Sequence, residues 1–166
     1  MSMDLVYSPS IRTEAWVAYD DKYYYVAMRC HEPFPDILKT STTERDGQVW
    51  NDDSVEIFLD TNRDRKTYYH FIVNANGVLY DAFGRDKSFD CSVQVAVTRD
   101  ESAWTMELAI PWADVKVATP IKRAKMVFLL ARTRRAKQEE AAEFLQYPPV
   151  NGSNHCKEYF GNLNLK

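Results

Sequence analysis

The feature that most constrains the fold of this chain is a repeated alternation of apolar and polar side chains with a period of two. In residues 22–30, for example, Tyr24, Val26 and Met28 fall on one face and Tyr25 and Arg29 on the other. This alternation is typical of a β-strand with one buried face. Asp20–Asp21 and Asn76–Gly77 stand between such segments and predict tight hairpin turns.

The same pattern predicts nine strands, over residues 14–19, 22–30, 55–60, 68–74, 78–82, 93–99, 103–110, 126–134 and 159–165. Only residues 134–144, rich in Ala, Lys, Gln and Glu, have helical composition, and they fit a charged loop equally well. No alternation of strands with helices is present, and the length of 166 residues fits one domain. We therefore predict an all-β fold, a single antiparallel β-sandwich of about nine or more strands with at most one short helix, over residues 1–166.

Composition excludes several classes of partner. The net charge of −3, with basic and acidic residues interspersed, predicts no binding to nucleic acid. No apolar run approaches the ~18 residues of a membrane span, and residues 1–10 lack the apolar stretch of a signal peptide. Cys30, Cys91 and Cys156 match no metal motif, so we expect buried or idle thiols, with one internal disulfide left open.

The segment 49–60 carries the candidate binding chemistry. Trp50 directly precedes a predicted strand, and alternation places Glu56 on one face of that strand. If the next strand pairs with it, Asn74 lies near Glu56, while Arg132 and Arg134 share a face of strand 126–134. A flat ring beside hydrogen-bonding groups suits a sugar, which has an apolar C–H face and a rim of hydroxyls.

Each of these residues also has a purely structural interpretation. Trp50 fits a cap on the edge of the sandwich, and Glu56 fits a sheet carboxylate paired with an arginine such as Arg132 or Arg134. Asn74 precedes Asn76–Gly77 and fits ordinary turn chemistry.

Five motifs occur in an order that resembles a known family. They are Trp16–Asp21 with Tyr24–Ala27, Trp50–Asp60, Tyr69–Asn74 with Gly77, Trp104–Trp112, and Tyr159–Leu163. Together they resemble the family 9 carbohydrate-binding modules, within the broader group of DOMON-like β-sandwiches, over about residues 16–165.

The resemblance implies a noncatalytic module that binds a sugar between two aromatic rings. It assigns the first ring to Trp50, the carboxylate to Glu56 and an amide to Asn74. For the second ring it points to Tyr147, with Phe144 as the next candidate. It further implies an extracellular or cell-surface location and a covalently linked catalytic domain. A basic residue that the family often carries two positions before the asparagine is Ile72 in this chain.

Calcium is the one metal that the sequence and the resemblance together bring into consideration. Asp60, Asn62 and Asp64 place oxygen atoms at alternate positions of a loop, as calcium loops do. The loop is not an EF-hand, since Arg65 stands where a glycine is required and Phe71 where a glutamate is required. The alternative is a turn with solvated aspartates. No organic cofactor is expected.

Three other functions compete with sugar binding. The first is glycoside hydrolysis, which needs two carboxylates at a defined separation, and Asp52, Asp53 and Glu56 are close in sequence. However, neighbouring residues of a strand point to opposite faces. A haem-binding domain would need axial ligands in one pocket, for which the candidates are Met28, Met106, Met126 and His70. A sandwich that serves protein contacts is the third alternative.

Overall fold

The chain folds into two antiparallel β-sheets packed face to face, which confirms the predicted all-β sandwich. The computed structural model describes the backbone of residues 2–8 and the residues 11–117, 124–135 and 142–165. The strands of these residues are β1 Ser2–Ser8, β2 Ile11–Tyr19, β3 Tyr23–His31, β4 Ser54–Asp60, β5 Tyr69–Asn74, β6 Leu79–Phe83, β7 Gln94–Arg99, β8 Ala103–Pro111, β9 Lys125–Arg134, β10 Glu143–Tyr147 and β11 Gly161–Asn164. One sheet has the order β1-β2-β3-β8-β7, and the other has the order β10-β9-β4-β5-β6, with β11 also pairing β9.

Two strands in the structure were not predicted, and one predicted strand is shorter. The strands β1 and β10 are the additions. β10 begins within the segment 134–144, whose composition is helical. Residues 136–141 of that segment lie outside the described part of the chain. The last predicted strand is reduced to Gly161–Asn164 because Lys157–Tyr159 form a 3-10 helix, one of three with Pro35–Ile37 and Val49–Asn51.

The core lies between the two sheets and is built from the alternating positions that the sequence marks as apolar. From one sheet come Tyr24, Val26 and Met28, and from the other come Ile57 and Phe71, all buried. Cys30 and Cys91 are buried as free thiols, and Cys156 is a free, half-buried thiol. No helix among the described residues is long and apolar enough to cross a membrane.

The outer face of the six-stranded sheet is partly covered, and this positions the site. All residues of β4 and β5 are buried, those on the outer face included. Phe58 of that face packs with Tyr68, Phe160 and Val150 in a second apolar cluster. The segment 150–160 therefore lies over one end of the sheet and leaves a groove at the other.

Candidate functional site

A groove of about 670 Å³ crosses the outer face of the six-stranded sheet. This volume falls within the ~300–1,000 Å³ typical of small-ligand sites. Its lining consists of Trp50, Glu56, His70, Ile72, Tyr80, Arg85, Phe144, Gln146, Gly152, Ser153, Asn154 and His155. The groove is thus made by the four strands β4, β5, β6 and β10, the 3-10 helix Val49–Asn51, the turn after β6 and the loop that holds residues 152–155.

The strand register explains why these residues meet. Gln146 of β10 pairs Ala131 of β9, which pairs Glu56 of β4. Glu56 pairs Ile72 of β5, and Ile72 pairs Tyr80 of β6. Directly opposed residues of an antiparallel sheet share a face, so these side chains form one row across the sheet floor.

Trp50 forms an aromatic wall of the groove. It lies in the 3-10 helix Val49–Asn51, whose Val49 is buried, and the indole is 36% exposed. The ring meets Tyr80 edge to face with 5.5 Å between centroids, and Lys87 Nζ lies 5.4 Å from the indole centroid. These contacts fix the orientation of the ring while leaving part of its apolar surface open.

Glu56 lies in the floor and is held by hydrogen bonds from two directions. His70 Nε2 lies 2.9 Å from Glu56 Oε2, and Asn154 Nδ2 donates to Glu56 Oε1 at 3.2 Å. Gln146 Nε2 in turn donates to Asn154 Oδ1, and the His70 ring stacks on Phe58 at 3.9 Å. The carboxylate is only 7% exposed, so it is a pre-oriented acceptor rather than a mobile surface group.

His155 closes the covered end of the groove as a neutral ring. Burial, together with the nearby His70 and Arg85, lowers the pKa of His155 to about 4. Its Nδ1 lies 2.7 Å from the Tyr68 hydroxyl, and its ring stands edge-on to His70 with 5.3 Å between centroids. At any pH well above 4, the neutral Nδ1 can therefore accept a hydrogen bond from the Tyr68 hydroxyl.

The second aromatic side chain at the groove is Phe144, not Tyr147. Alternation along β10 points Phe144 and Gln146 to the groove, and Phe144 is 59% exposed. Tyr147 points to the opposite face, where it packs against the core with its ring 6.0 Å from that of Phe128. The prediction of Tyr147 is corrected to Phe144, the next candidate, because the parity of β10 decides which ring reaches the groove.

Asn74 does not line the groove. It is fully buried and opposes Ser54, which lies two residues before Glu56 on β4. Its Nδ2 donates to Thr42 O and Asp52 Oδ2, both at 3.0 Å. Its Oδ1 accepts from the backbone N–H groups of residues 76 and 78 at 3.0 and 2.9 Å. All four hydrogen-bonding positions of the amide are used, so it has none left for a ligand.

Asp52 and Asp53 accept hydrogen bonds from the same loop that Asn74 contacts. Asp52 accepts from the backbone N–H groups of Ser41 and Thr42 at 3.0 and 2.9 Å, and Asp53 accepts from that of Lys39 at 2.7 Å. Burial alone would raise the pKa of Asp52, but hydrogen bonds from Asn74, Ser41 and Thr42 outweigh it and lower the pKa. The acidic pair after Trp50 thus fastens the loop 36–48 to the sheet.

Arg132 and Arg134 lie between the sheets, on the face of β9 opposite to the groove. Arg134 Nε and Nη2 donate to the two carboxylate oxygens of Glu32 at 2.6 and 2.8 Å. Arg132 Nη1 donates to Thr13 Oγ1 at 3.1 Å. The prediction that these arginines serve the ligand is corrected. They share a face, as predicted, but that face is buried, and both guanidinium groups form ion pairs with Glu32.

The loop of Asp60, Asn62 and Asp64 is closed by its own hydrogen bonds. The Asp60 carboxylate accepts from the backbone N–H groups of residues 63 and 65 at 2.7 and 2.8 Å. Asp64 accepts from those of residues 66 and 67 at 2.6 and 2.8 Å, and Asn62 Nδ2 donates to Asp64. Among the described residues no group of three or more His, Cys, Asp or Glu is placed to hold a metal. The carboxylate oxygens of Asp60 and Asp64 thus accept from backbone donors of the same loop, and calcium stays a prediction.

Several groove residues were missed because the sequence gives little signal for them. Gln146 lies on β10, which was not predicted, and Arg85 follows β6 in a turn. Asn154 and His155 belong to a loop that has no periodicity. Alternation in residues 68–74 puts His70 on the same face as Asn74, but its partner Glu56 can be known only from the pairing of β4 with β5.

A β-sandwich with exposed aromatic rings beside a polar, hydrogen-bonded floor defines the class of carbohydrate-binding modules. The chain belongs to the family described as "Carbohydrate family 9 binding domain-like", which matches residues 1–166. It is a noncatalytic carbohydrate-binding module.

Comparisons with individual proteins agree with this family. Endo-1,4-beta-xylanase A of Thermoanaerobacterium saccharolyticum is 29% identical over 102 residues, or 58% of this chain and 8% of the xylanase. The chain thus spans less than a tenth of the length of the curated relatives that it matches.

Two solved structures share the fold. The family 9 module of Caldicellulosiruptor kristjanssonii in complex with glucose superposes with a TM-score of 0.74 at 20% identity, covering 96% of this chain and 78% of that one. The structure with cellotriose gives 0.70 at 19% identity, covering 96% and 77%.

The haem alternative is not favoured. Met28, Met106 and Met126 are all fully buried in the core between the sheets, whereas His70 lies on the outer face and contacts Glu56. These side chains therefore do not face one pocket.

Proposed function

We propose that the groove binds a sugar unit of a plant-type polysaccharide, a β-linked glucan or xylan. The observation that carries this proposal is the meeting of an exposed indole, Trp50, with a pre-oriented carboxylate, Glu56, in one groove. Relatives named for action on xylan, and family modules solved with glucose and cellotriose, support the ligand class.

Stacking supplies the apolar part of the binding energy. Trp50 and Phe144 are the exposed rings at the groove, and a pyranose presents an apolar C–H face to such a ring. Removing ~50–100 Å² of apolar surface from water contributes about 1–3 kcal/mol. Two rings also restrict the orientation of the sugar, since each prefers a face and not an edge of it.

Hydrogen bonds supply specificity. Glu56 is acceptor only, while the amides of Asn154 and Gln146 both donate and accept. A carboxylate beside an amide matches two neighbouring hydroxyls, one donating to the acid and the other accepting from the amide. His70 and Asn154 already hold Glu56 in place, so little side-chain entropy is lost when a sugar binds.

Arg85 gives the groove a guanidinium at its rim. The residue at position 72, where the family often carries a basic side chain, is an isoleucine in the floor. A cation in the groove therefore comes from the turn after β6 and not from β5. We infer that Arg85 donates to a hydroxyl or ring oxygen of the sugar.

The context of the module is inferred from its relatives. A match that covers 8% of a xylanase is what a binding module attached to a catalytic domain gives. We propose a covalently linked catalytic domain and an extracellular or cell-surface location, where insoluble polysaccharide is found.

Calorimetric titration with glucose, xylose, cellotriose and xylotriose tests the proposal. We expect binding of at least one of these sugars by the wild type, and at least about a fivefold loss of affinity in Trp50→Ala, since stacking is worth ~1–3 kcal/mol. Phe34→Ala removes an exposed ring that is not part of the groove lining and serves as the matched control. A folded Trp50→Ala protein that binds as the wild type does would reject the proposal.

A further inference from the structure

The outer face of the five-stranded sheet carries a second trough, of about 410 Å³. Its floor consists of four alanines, Ala18, Ala27, Ala96 and Ala109, one on each of β2, β3, β7 and β8. Alanine is depleted on exposed strand faces, where larger side chains cover the sheet. Four alanines together leave a depression in the sheet surface. Longer polar side chains, which an ordinary solvent-facing sheet carries, would occupy this space.

Aromatic rings form one wall of the trough. Trp16 is 38% exposed and Tyr25 is 36% exposed. They lie diagonally across the β2–β3 pair, because Trp16 opposes Ala27 and Tyr25 opposes Ala18. The Tyr25 hydroxyl donates to Asp20 Oδ2 at 2.8 Å, which fixes that ring over the sheet.

An exposed carboxylate, that of Glu107, also lines the trough. Glu107 shares the row of Trp16 and Ala27, two strand spacings or about 9–10 Å from Trp16 along the sheet. No side chain of the described residues donates a hydrogen bond to Glu107 or forms an ion pair with it. Arg29, which lies two residues after Ala27 on the same face of β3, forms an ion pair with another residue, since its Nη2 lies 2.7 Å from Asp100 Oδ2.

From this arrangement we propose that the trough is a second saccharide-binding surface, separate from the groove on the opposite sheet. A pyranose lying over Ala27 would place its C–H face against Trp16 and a pair of hydroxyls at Glu107. The trough thus repeats, with different residues, the combination of indole and acid that the groove uses. It would allow one module to contact two polysaccharide chains, or two places on one chain.

The unpaired acid favours a neutral polyol over a second copy of this chain. Two copies packed through the same face would bring their Glu107 carboxylates together in an apolar contact, and like charges there destabilise the complex. A saccharide satisfies the acid with hydroxyl donors and brings no charge.

Binding by a protein whose groove is disabled tests this surface. In the Trp50→Ala/Phe144→Ala protein we expect cellohexaose, xylohexaose or soluble xylan to bind still, measured by calorimetry and by affinity electrophoresis. Adding Trp16→Ala should abolish this residual binding, and Glu107→Gln should weaken it at least about fivefold, the loss expected for one charge-assisted hydrogen bond. Ala96→Arg fills the trough without removing a packed ring and should also abolish binding. Phe34→Ala is again the control.

Absence of residual binding to all three probes would overturn the second surface, as would residual binding that Trp16→Ala and Ala96→Arg leave unchanged. Self-association at sedimentation equilibrium that Ala96→Arg abolishes would overturn it too, in favour of contacts between copies. The groove is tested separately, because the single variant Trp16→Ala should retain groove binding.

Discussion

The four tryptophans show how the setting of a residue decides its role. Trp104 is fully buried in the core, and Trp112 is buried with its Nε1 donating to Asp20 O at 2.9 Å. Only Trp50 and Trp16 are substantially exposed. Trp50 lines the groove together with Glu56, and Trp16 lines the trough together with Glu107. Trp104 and Trp112 are therefore packing residues.

Glu56 offers a test at the level of a single charge. Glu56→Gln retains the size of the side chain but replaces charge-assisted hydrogen bonds by neutral ones. We expect a loss of about 1–2 kcal/mol in sugar binding, or about 5–30-fold in affinity. Calorimetry measures the loss. Glu101→Gln, at the exposed turn between β7 and β8, is the control, and equal affinities for the two variants would contradict the role of Glu56.

His155 predicts a pH dependence of stability. Its pKa is about 4 in the folded protein and ~6.5 in an unfolded chain. The unfolded state therefore binds more protons between these values, and stability falls as the pH falls from about 6.5 to about 4. Above pH 6.5 the contribution is constant.

The half-buried position of His155 limits the effect, since water screens part of it, to about 1–2 kcal/mol. Denaturant unfolding at pH 7 and pH 4.5 should show a smaller pH-dependent loss for His155→Gln than for the wild type. His31→Gln, on the other sheet, controls for removal of a histidine. Identical pH profiles of His155→Gln and wild type would count against a neutral buried ring.

At the level of elements, alternation predicted the central strands and failed at two edges, β1 and β10. β4 and β5 are long, apolar and bounded by turn residues, so both their existence and the faces of Glu56 and His70 could be predicted. β10 is only Glu143–Tyr147, directly after residues of high helix propensity, and an edge strand needs pairing on one side only. Because β10 carries Phe144 and Gln146, that side of the groove could not be derived from the sequence.

The choice of face for Arg132 and Arg134 failed for a different physical reason. Alternation correctly placed them together, but charged residues on a strand normally mark the solvent face. Here the charged face is the inner one, where Glu32 is buried between both guanidinium groups. Such a pair depends on residues a hundred positions apart, which no local pattern records.

Asn74 joins loop 36–48 to strands β4–β6, so its removal should weaken the contact between these elements. Asn74→Ala removes one hydrogen bond each from Asp52 and from Thr42 O and leaves the backbone N–H groups of residues 76 and 78 without their acceptor, which should cost about 2–4 kcal/mol in the free energy of unfolding. Affinity for sugar should stay within about twofold in the folded fraction, because Asn74 lies outside the groove.

Chemical denaturation and calorimetry on the same sample separate these two effects. Asn162→Ala, at an exposed position of β11, is the matched control and should cost little stability. A stable Asn74→Ala protein that has lost its affinity would restore Asn74 as a binding residue.

For the whole molecule, the predicted calcium ion can be tested by its effect on stability. The Asp60–Asp64 loop is already closed by backbone donors, so removal of calcium should leave the two sheets and the groove intact. We expect the melting temperature in 1 mM calcium and in excess chelator to agree within about 1 °C, since a ligand that binds the folded state tightly would raise it. A clear upward shift with calcium, lost in Asp60→Asn, would show that the loop rearranges around the ion.

We propose that sugar binds on the outer face of the six-stranded sheet, and amide chemical-shift mapping during a cellotriose titration tests this placement. We expect the largest saturable shifts at Trp50, Glu56, Phe144 and Asn154, with the indole N–H of Trp50 among them and those of Trp104 and Trp112 unmoved. Saturable shifts that leave these groove residues unchanged and cluster elsewhere would contradict it.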